Sequence, residues 1–117
     1  MVPNIEEYPV FDEPAVMERL EGDKEFLFEL FDMLQAEFVT VKEDLQDGFT
    51  SKDSAKLKDR AHYIKSAFGN IGAMRAYHIA FLIEQLGKQG VVPDSDELLT
   101  TLNEEFEKFK AFLSTYK

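Results

Sequence analysis

His62 is the residue whose type and neighbours point most directly to chemistry. The chain contains no cysteine, which excludes a cysteine nucleophile, a disulfide framework and a cysteine-based zinc site. A neutral imidazole nitrogen is a suitable nucleophile near neutral pH. Lys58 precedes His62 by four residues and Lys65 follows it by three, so on a helix the two ammonium groups lie one turn to either side. Both cations are therefore within reach of an anion held on the imidazole.

The helix that carries His62 is expected to turn the imidazole away from the core. Four apolar residues define the inward direction of this helix: Leu57, Ala61, Ile64 and Phe68. At about 100° per residue, His62 lies roughly 130° from that direction. The same outer face carries lysines and small residues: Ala55, Lys58, Lys65, Ser66 and Gly69. Small residues leave room for another protein to approach the ring, although an exposed histidine on a helix is more often a solvated surface residue.

Other patterns that could support catalysis or metal binding are weaker. His78 lies about 140° from the inward direction of its own helix and lacks nearby lysines, which favours an ordinary surface histidine. Asp59 precedes His62 by three residues, the spacing used in di-iron bundles, but Arg75 stands at the equivalent position before His78. No metal site is therefore predicted. The sequence also contains no nucleophile elbow, calcium loop or glycine-rich nucleotide loop.

Length and composition predict one globular domain over residues 1–117. The chain has 117 residues, of which 44% are hydrophobic and 31% charged. It shows neither a bilayer-spanning apolar run nor a signal peptide, so we expect a cytoplasmic protein with no membrane partner. The net charge of −10 argues against a nucleic-acid partner, because phosphate backbones bind clustered lysine and arginine. The Met1 start and compact length favour a free-standing protein, and we expect it to be monomeric.

The chain is predicted to be all-α, because its apolar residues recur at spacings of three and four and no proline stands between Ala15 and Val92. Asp12 should cap a short first helix that ends at Gly22, and Asp23 should cap the second. Four long amphipathic helices with short links fit an up-down-up-down four-helix bundle, with the short N-terminal helix as a lid. The long helices are expected over about 24–46, from 51 or 53 to 71, over about 72–88, and from a capping box at 94–97 to the C-terminus.

Three glycine positions carry specific structural expectations. Gly48 is expected to stop the second helix. Gly69 and Asn70 are expected to loosen or kink the third helix. Gly72 is expected to allow close packing between the third and fourth helices.

The residues around His62 form a recognisable pattern, AHYIKSAFGNIGA over residues 61–73. It resembles the signature of histidine-containing phosphotransfer (HPt) domains, His-x-x-Lys-Gly-Ser-Ala followed by Asn-Ile-Gly-Ala. His62, Lys65 and the segment 70–73 match in identity and offset. Ser66 stands where the pattern has glycine and Ala67 where it has serine, while Phe68 is bulkier than usual but falls on the core stripe. Further landmarks extend the resemblance over nearly the whole chain: Phe11-Asp12, Gly22-Asp23, Leu82-Ile83-Glu84 and Gly87-Lys88-Gln89-Gly90.

The resemblance implies a phosphorelay intermediate of a two-component system. His62 would accept a phosphoryl group, most simply on Nε2, from a receiver-domain aspartate and pass it to another response-regulator receiver domain. A sensor or hybrid histidine kinase is the other expected partner. The receiver would supply Mg²⁺ and catalytic acids, and this chain would bind no cofactor. Since no nucleotide loop is present, we expect a phosphocarrier without autokinase activity rather than an enzyme.

Around His62, the resemblance and the outer-face position suggest several supporting roles. Lys65 is expected to be the principal phosphoryl or partner contact, with Lys58 beside it. The Ser66 hydroxyl could donate to the phosphoryl group, and Gly69 would provide clearance for the partner.

Docking also requires exposed apolar surface near His62. The second helix offers Phe26 and Met33 on one flank and Phe28 and Val39 on the other. Either flank could receive a receiver helix, or both pairs could pack against neighbouring helices. The alternative function is a helical-bundle interaction or regulatory protein that binds a kinase or receiver without carrying phosphate.

Overall fold

Five α-helices joined by short connections make up residues 5–116, the part of the chain that the computed structural model describes. No β-strand occurs within that range, which confirms the all-α prediction. Helix α3 packs against both α2 and α4, while α5 packs against α4 and closes on α2, so the four long helices form a bundle. The helices are α1 (Glu13–Arg19), α2 (Lys24–Thr50), α3 (Ser54–Ile71), α4 (Met74–Gln89) and α5 (Glu97–Thr115).

Aspartate side chains begin the first three helices, as predicted for Asp12 and Asp23, and Asp53 is the one of the two predicted starts that α3 uses. The Asp12 carboxylate accepts a hydrogen bond from the Ala15 backbone N–H, and Asp23 and Asp53 do the same three residues into their own helices. Each cap satisfies one of the backbone donors that the first helical turn leaves without a partner. The start of α5 differs from the predicted capping box, because the Ser95 hydroxyl, and not Asp96, accepts from the N–H of Glu97.

The bundle core is rich in phenylalanine. The Phe38 ring on α2 lies 4.6 Å from Phe106 of α5 and 5.7 Å from Phe68 of α3, measured between ring centroids. Phe68 is fully buried, as are the predicted inward residues Leu57, Ala61 and Ile64. Their burial fixes the rotation of α3 about its axis, because turning the helix would expose these side chains. This rotation directs His62 outward.

The prediction that Gly48 stops α2 was wrong, and Gly69 does not end α3. Helix α2 continues through Gly48 to Thr50. Gly48 faces α3, and a Cβ there would lie 2.7 Å from Leu57 Cδ2, so there is little room for a side chain at this position. Helix α3 runs without interruption to Ile71, so Gly69 does not break it. A Cβ on Gly69 would lie 3.2 Å from the Tyr77 ring of α4. The contact at Gly48 is thus the tighter of the two.

Gly72 ends α3 but does not set the spacing between α3 and α4, which corrects the prediction. Its φ is +78°, and a Cβ there would collide with Val16 of α1. The Gly72 carbonyl also accepts a hydrogen bond from the Asp12 N–H at 2.9 Å, so this turn seats the lid helix α1. The close approach of α3 and α4 occurs at Gly87, where a Cβ would lie 2.5 Å from the backbone nitrogen of Lys58.

No helix in the described part of the chain is both long enough and apolar enough to cross a membrane.

Candidate functional site

His62 lies on the outer face of α3 with 63% of its side chain exposed, which confirms the outward orientation expected from the sequence. It opens into a surface cavity of about 300 Å³. Residues from α3 and α4 line this cavity together: Lys58, Asp59, His62, Glu84 and Lys88. The two helices approach closely beside this cavity. Gly87 of α4 lies against the backbone of Lys58 on α3, and both Lys58 and Lys88, the residue after Gly87, line the cavity.

Glu84 is one of two residues of the site, with Lys88, that sequence reasoning missed as functional groups. Its side chain is only 3% exposed, and its two carboxylate oxygens have different partners on α3. Oε2 lies 2.7 Å from His62 Nδ1, and Oε1 accepts from Lys65 Nζ at 2.6 Å. The sequence did contain a signal for this role. Glu84 stands among the apolar residues that face inward on α4, and a carboxylate is rarely buried without a partner.

The contact with Glu84 determines which nitrogen of His62 is free. An ionised carboxylate only accepts hydrogen bonds, so Nδ1 carries the hydrogen and donates it. The neutral ring then has its lone pair on Nε2, to which no residue in the described range hydrogen-bonds. This is the nitrogen that the sequence comparison with phosphotransfer domains implied as the attacking atom.

The ionisation of Glu84 reflects two opposing effects. Burial raises the pKa of this carboxyl, but hydrogen bonds from Lys65 and His62 stabilise the anion. The hydrogen bonds and charges outweigh burial, and the pKa of Glu84 lies below its ordinary value of 4.5. Glu84 is therefore a carboxylate at neutral pH.

Because its pKa is lowered by folding, Glu84 is expected to make stability depend on pH. Its contribution is present above the ordinary value of 4.5 and is lost as pH falls through the lower pKa of the folded state. Glu84→Gln should cost about 1–2 kcal/mol near neutral pH, since it weakens two hydrogen bonds to a charged group. Urea unfolding of both proteins from about pH 7 to about pH 3 measures this. If the difference in the free energy of unfolding between the two proteins did not narrow towards acid pH, this prediction would be wrong.

The three lysines around the site have different environments. Lys65 is only 16% exposed, and its Nζ is hydrogen-bonded to Glu84 and lies 5.6 Å from the Phe81 ring centroid. Lys58 and Lys88 are 46% and 53% exposed. Each has an acidic oxygen 3.9 Å from Nζ, beyond hydrogen-bonding distance: Asp59 for Lys58 and Glu84 for Lys88. Sequence reasoning did not identify Lys88.

Ser66 and Gly69 are on the predicted face, but both have partners within the fold. The Ser66 hydroxyl is exposed and donates to the His62 carbonyl at 3.3 Å. Gly69 lies against the Tyr77 ring, and its carbonyl accepts from Arg19 at 3.1 Å. Their predicted contacts with a phosphoryl group or a partner stay predictions.

His78 is not the free surface residue that the sequence suggested. It is half-buried, and its ring stacks on Tyr8 at 4.6 Å between centroids with 26° between the planes. Arg75 holds the N-terminal segment over α4 by donating from Nε to the Tyr8 carbonyl at 2.7 Å. His78 thus anchors this segment and lies apart from the cavity at His62.

The apolar flank of α2 that borders α3 is the one that carries Met33. Met33 is 60% exposed and forms part of a groove of about 150 Å³ with Ala67 and Asn70 of α3. Val39, on the opposite flank, is also exposed, whereas Phe28 packs against the core. The Met33 flank is therefore continuous with the helix that bears His62.

Tyr63 adds exposed aromatic surface next to His62. The nearby Glu37 carboxylate of α2 is the main cause of a raised pKa for the Tyr63 phenol. The Arg60 guanidinium lies 5.1 Å from the Tyr63 ring centroid. Glu37 also lines the groove beside Met33, so Tyr63 lies near that groove as well as next to His62.

Residues 5–116 contain no group of three or more histidine, cysteine, aspartate or glutamate side chains arranged to hold a metal ion.

Comparison with known proteins places residues 29–112 within the Hpt domain model. The chain is also 27% identical over 107 residues to the phosphorelay intermediate protein rdeA of Dictyostelium discoideum. That alignment covers 92% of this chain but only 42% of the Dictyostelium protein. No solved structure gives a significant match. The family match includes α3 and α4 in full, and with them each residue that lines the cavity at His62.

Proposed function

This chain belongs to the Hpt domain family, and we propose that it transfers phosphoryl groups as that family does and that His62 is the side chain that carries them. The observation that supports this most directly is the 2.7 Å contact between His62 Nδ1 and Glu84. In the neutral ring this contact leaves the Nε2 lone pair free, on a helix face that another protein can approach. The resemblance of residues 61–73 to the family signature supports the same assignment.

The proposed transfer of the phosphoryl group to His62 requires no proton to leave the imidazole ring. The Nε2 lone pair attacks the phosphorus of an aspartyl phosphate on the donor, and the P–O bond to the aspartate breaks with its electrons remaining on the carboxylate. Nδ1 keeps its hydrogen, so the ring becomes positively charged when the N–P bond forms. The buried Glu84 carboxylate faces that charge and stabilises it. The reverse reaction passes the phosphoryl group to a second aspartate.

Receiver domains of response regulators are the proposed donors and acceptors, with a sensor or hybrid histidine kinase upstream. The similarity to a phosphorelay intermediate protein supports this assignment. The groove beside Met33 is the proposed docking surface, because it borders the helix that bears His62. Mg²⁺ and acidic residues would come from the receiver, and this chain would bring no cofactor of its own. The alternative of a binding module that carries no phosphate is not favoured by the family match.

A phosphotransfer assay tests this function. Incubation with Mg²⁺ and radiolabelled phosphorylated receiver domains should move label onto this protein, and that label should be acid-labile and stable to base, as expected of a phosphorylated imidazole. Labelled ATP without a kinase should give no label, because the proposed carrier has no autokinase activity. If no receiver donates label to the folded protein, the carrier function is wrong.

The cytoplasmic location and the monomeric state stay predictions. Light scattering coupled to size-exclusion chromatography measures the oligomeric state directly, and a mass near 13.5 kDa is expected.

A further inference from the structure

We infer that Lys58 and Lys88 are the phosphoryl-binding cations of this domain, and that Lys65 is a positioning residue that acts through Glu84. The inference rests on the proposed function, with His62 as the acceptor. It changes the role that the sequence suggested for Lys65 and adds Lys88, which the sequence pattern did not identify as functional.

Lys65 is poorly placed to serve the phosphoryl group. Its side chain is 84% buried, its ammonium group donates to Glu84 Oε1 at 2.6 Å, and it lies close to the rings of Tyr77 and Phe81. To reach a phosphoryl group on Nε2, it would have to leave Glu84. That movement would take a partner from a carboxylate that is 97% buried, which is costly in a protein interior.

Lys58 and Lys88 have the opposite properties. Both line the cavity into which His62 opens, one from each helix. About half of each side chain is exposed, and neither ammonium group lies within hydrogen-bonding distance of its nearest acidic oxygen. Exposed ion pairs at such separations are weak, so both side chains can turn towards a phosphoryl group at little cost.

The charges at the cavity explain why Lys65 is still needed. Two cations, Lys58 and Lys88, line the cavity together with two anions, Asp59 and Glu84. On their own these four side chains sum to zero and would offer little attraction to a phosphoryl dianion. Lys65 contacts Glu84 at the oxygen opposite His62 and cancels its charge. The cavity then has a net positive charge, and Glu84 can orient the imidazole without repelling the phosphate.

A double-mutant cycle distinguishes the two roles. Lys58→Met, Lys88→Met and Lys65→Met are made singly and again with Glu84→Gln, and initial rates of His62 phosphorylation are measured. The donors are phosphoramidate, which requires no docking surface, and a phosphorylated receiver. Lys56→Met is the matched control, because Lys56 is also on α3 but pairs with Asp47 outside the cavity. The Lys65→Met, Glu84→Gln pair removes both buried charges together, so it covers the case in which Lys65→Met alone does not fold.

Lys58→Met and Lys88→Met should each slow phosphorylation by about tenfold with both donors. This is the effect expected when one hydrogen bond to a charged group is lost. This loss should persist in the Glu84→Gln background. Lys65→Met should slow the reaction in the wild-type background but have no further effect once Glu84 is glutamine. It should also shift the ¹⁵N signals of the His62 ring by more than Lys58→Met or Lys88→Met does, because only Lys65 of the three lysines hydrogen-bonds to Glu84.

Two results would overturn the inference. One is a loss of rate for Lys65→Met that is equal in both backgrounds, because Lys65 would then act on the phosphoryl group directly. The other is that Lys58→Met and Lys88→Met match the Lys56→Met control. A wild-type protein that neither donor phosphorylates on His62 would instead overturn the proposed function, and the inference with it.

Discussion

Replacing His62 with glutamine should abolish phosphoryl acceptance and leave the fold intact. Glutamine has no nucleophilic nitrogen, so the rate with a phosphorylated receiver should fall by at least about a thousandfold. The side chain is 63% exposed, and its amide can still donate to Glu84, so the free energy of unfolding should change by less than about 1 kcal/mol. Label incorporation and urea unfolding measure the two effects separately.

His78→Gln is the matched control for this experiment. It removes the other imidazole of the chain, which stacks on Tyr8 away from the cavity. This variant should accept phosphate at the rate of the wild-type protein, even if loss of the ring contact lowers its stability. Label that persisted on the His62 variant would place the acceptor elsewhere and refute the site assignment. A His62 variant that kept the biological function of the protein would favour a binding module.

Gly87→Ala should destabilise the protein by about 2–3 kcal/mol. The new Cβ would lie 2.5 Å from the backbone nitrogen of Lys58 and 2.7 Å from the carbonyl oxygen of Ser54. Backbone atoms cannot turn aside as a flexible side chain can, so α3 and α4 must move apart. The loss is expected although alanine is intrinsically better than glycine inside a helix by about 1 kcal/mol. Urea unfolding measures the change in stability.

The same substitution should also slow phosphoryl acceptance, because separating the helices moves Glu84 and Lys88 away from His62. Gly69→Ala is the comparison, since it adds the same methyl group to the same helix pair. Its Cβ would meet only the Tyr77 ring, at 3.2 Å, and that ring can shift by a few tenths of an ångström. We expect the stability of Gly69→Ala to change by less than about 1 kcal/mol. Equal losses for the two variants would show that the backbone contact at Gly87 is unimportant.

The sequence predicts features that depend on neighbours along the chain. The caps at Asp12 and Asp23 follow from the chemistry of the first helical turn, and the structure has both. The third helix was expected to begin near Ser51 or Asp53, and it is capped by Asp53. The outward orientation of His62 follows from the spacing of the apolar residues on its own helix. Each of these features requires only the periodicity of a single helix and the residues at its ends.

Features that depend on contact between helices could not be predicted in this way. Gly48 resembles a helix stop along the chain, but Leu57 of the next helix determines its role. Gly72 was assigned to the wrong pair of helices, because nothing in the sequence shows that Val16 lies against it. The pairing of Glu84 with His62 and Lys65 spans 22 and 19 residues, so it becomes visible only when α3 and α4 are placed side by side.

The position of His62 on one helix face has a consequence for kinetics. A donor and an acceptor receiver must each bring an aspartate to the same Nε2, and one exposed ring has room for one of them at a time. The relay should therefore follow a ping-pong scheme, in which the donor leaves before the acceptor binds. Excess unphosphorylated donor should compete with the acceptor, so the relative abundance of the two regulators would set the direction in which the signal travels.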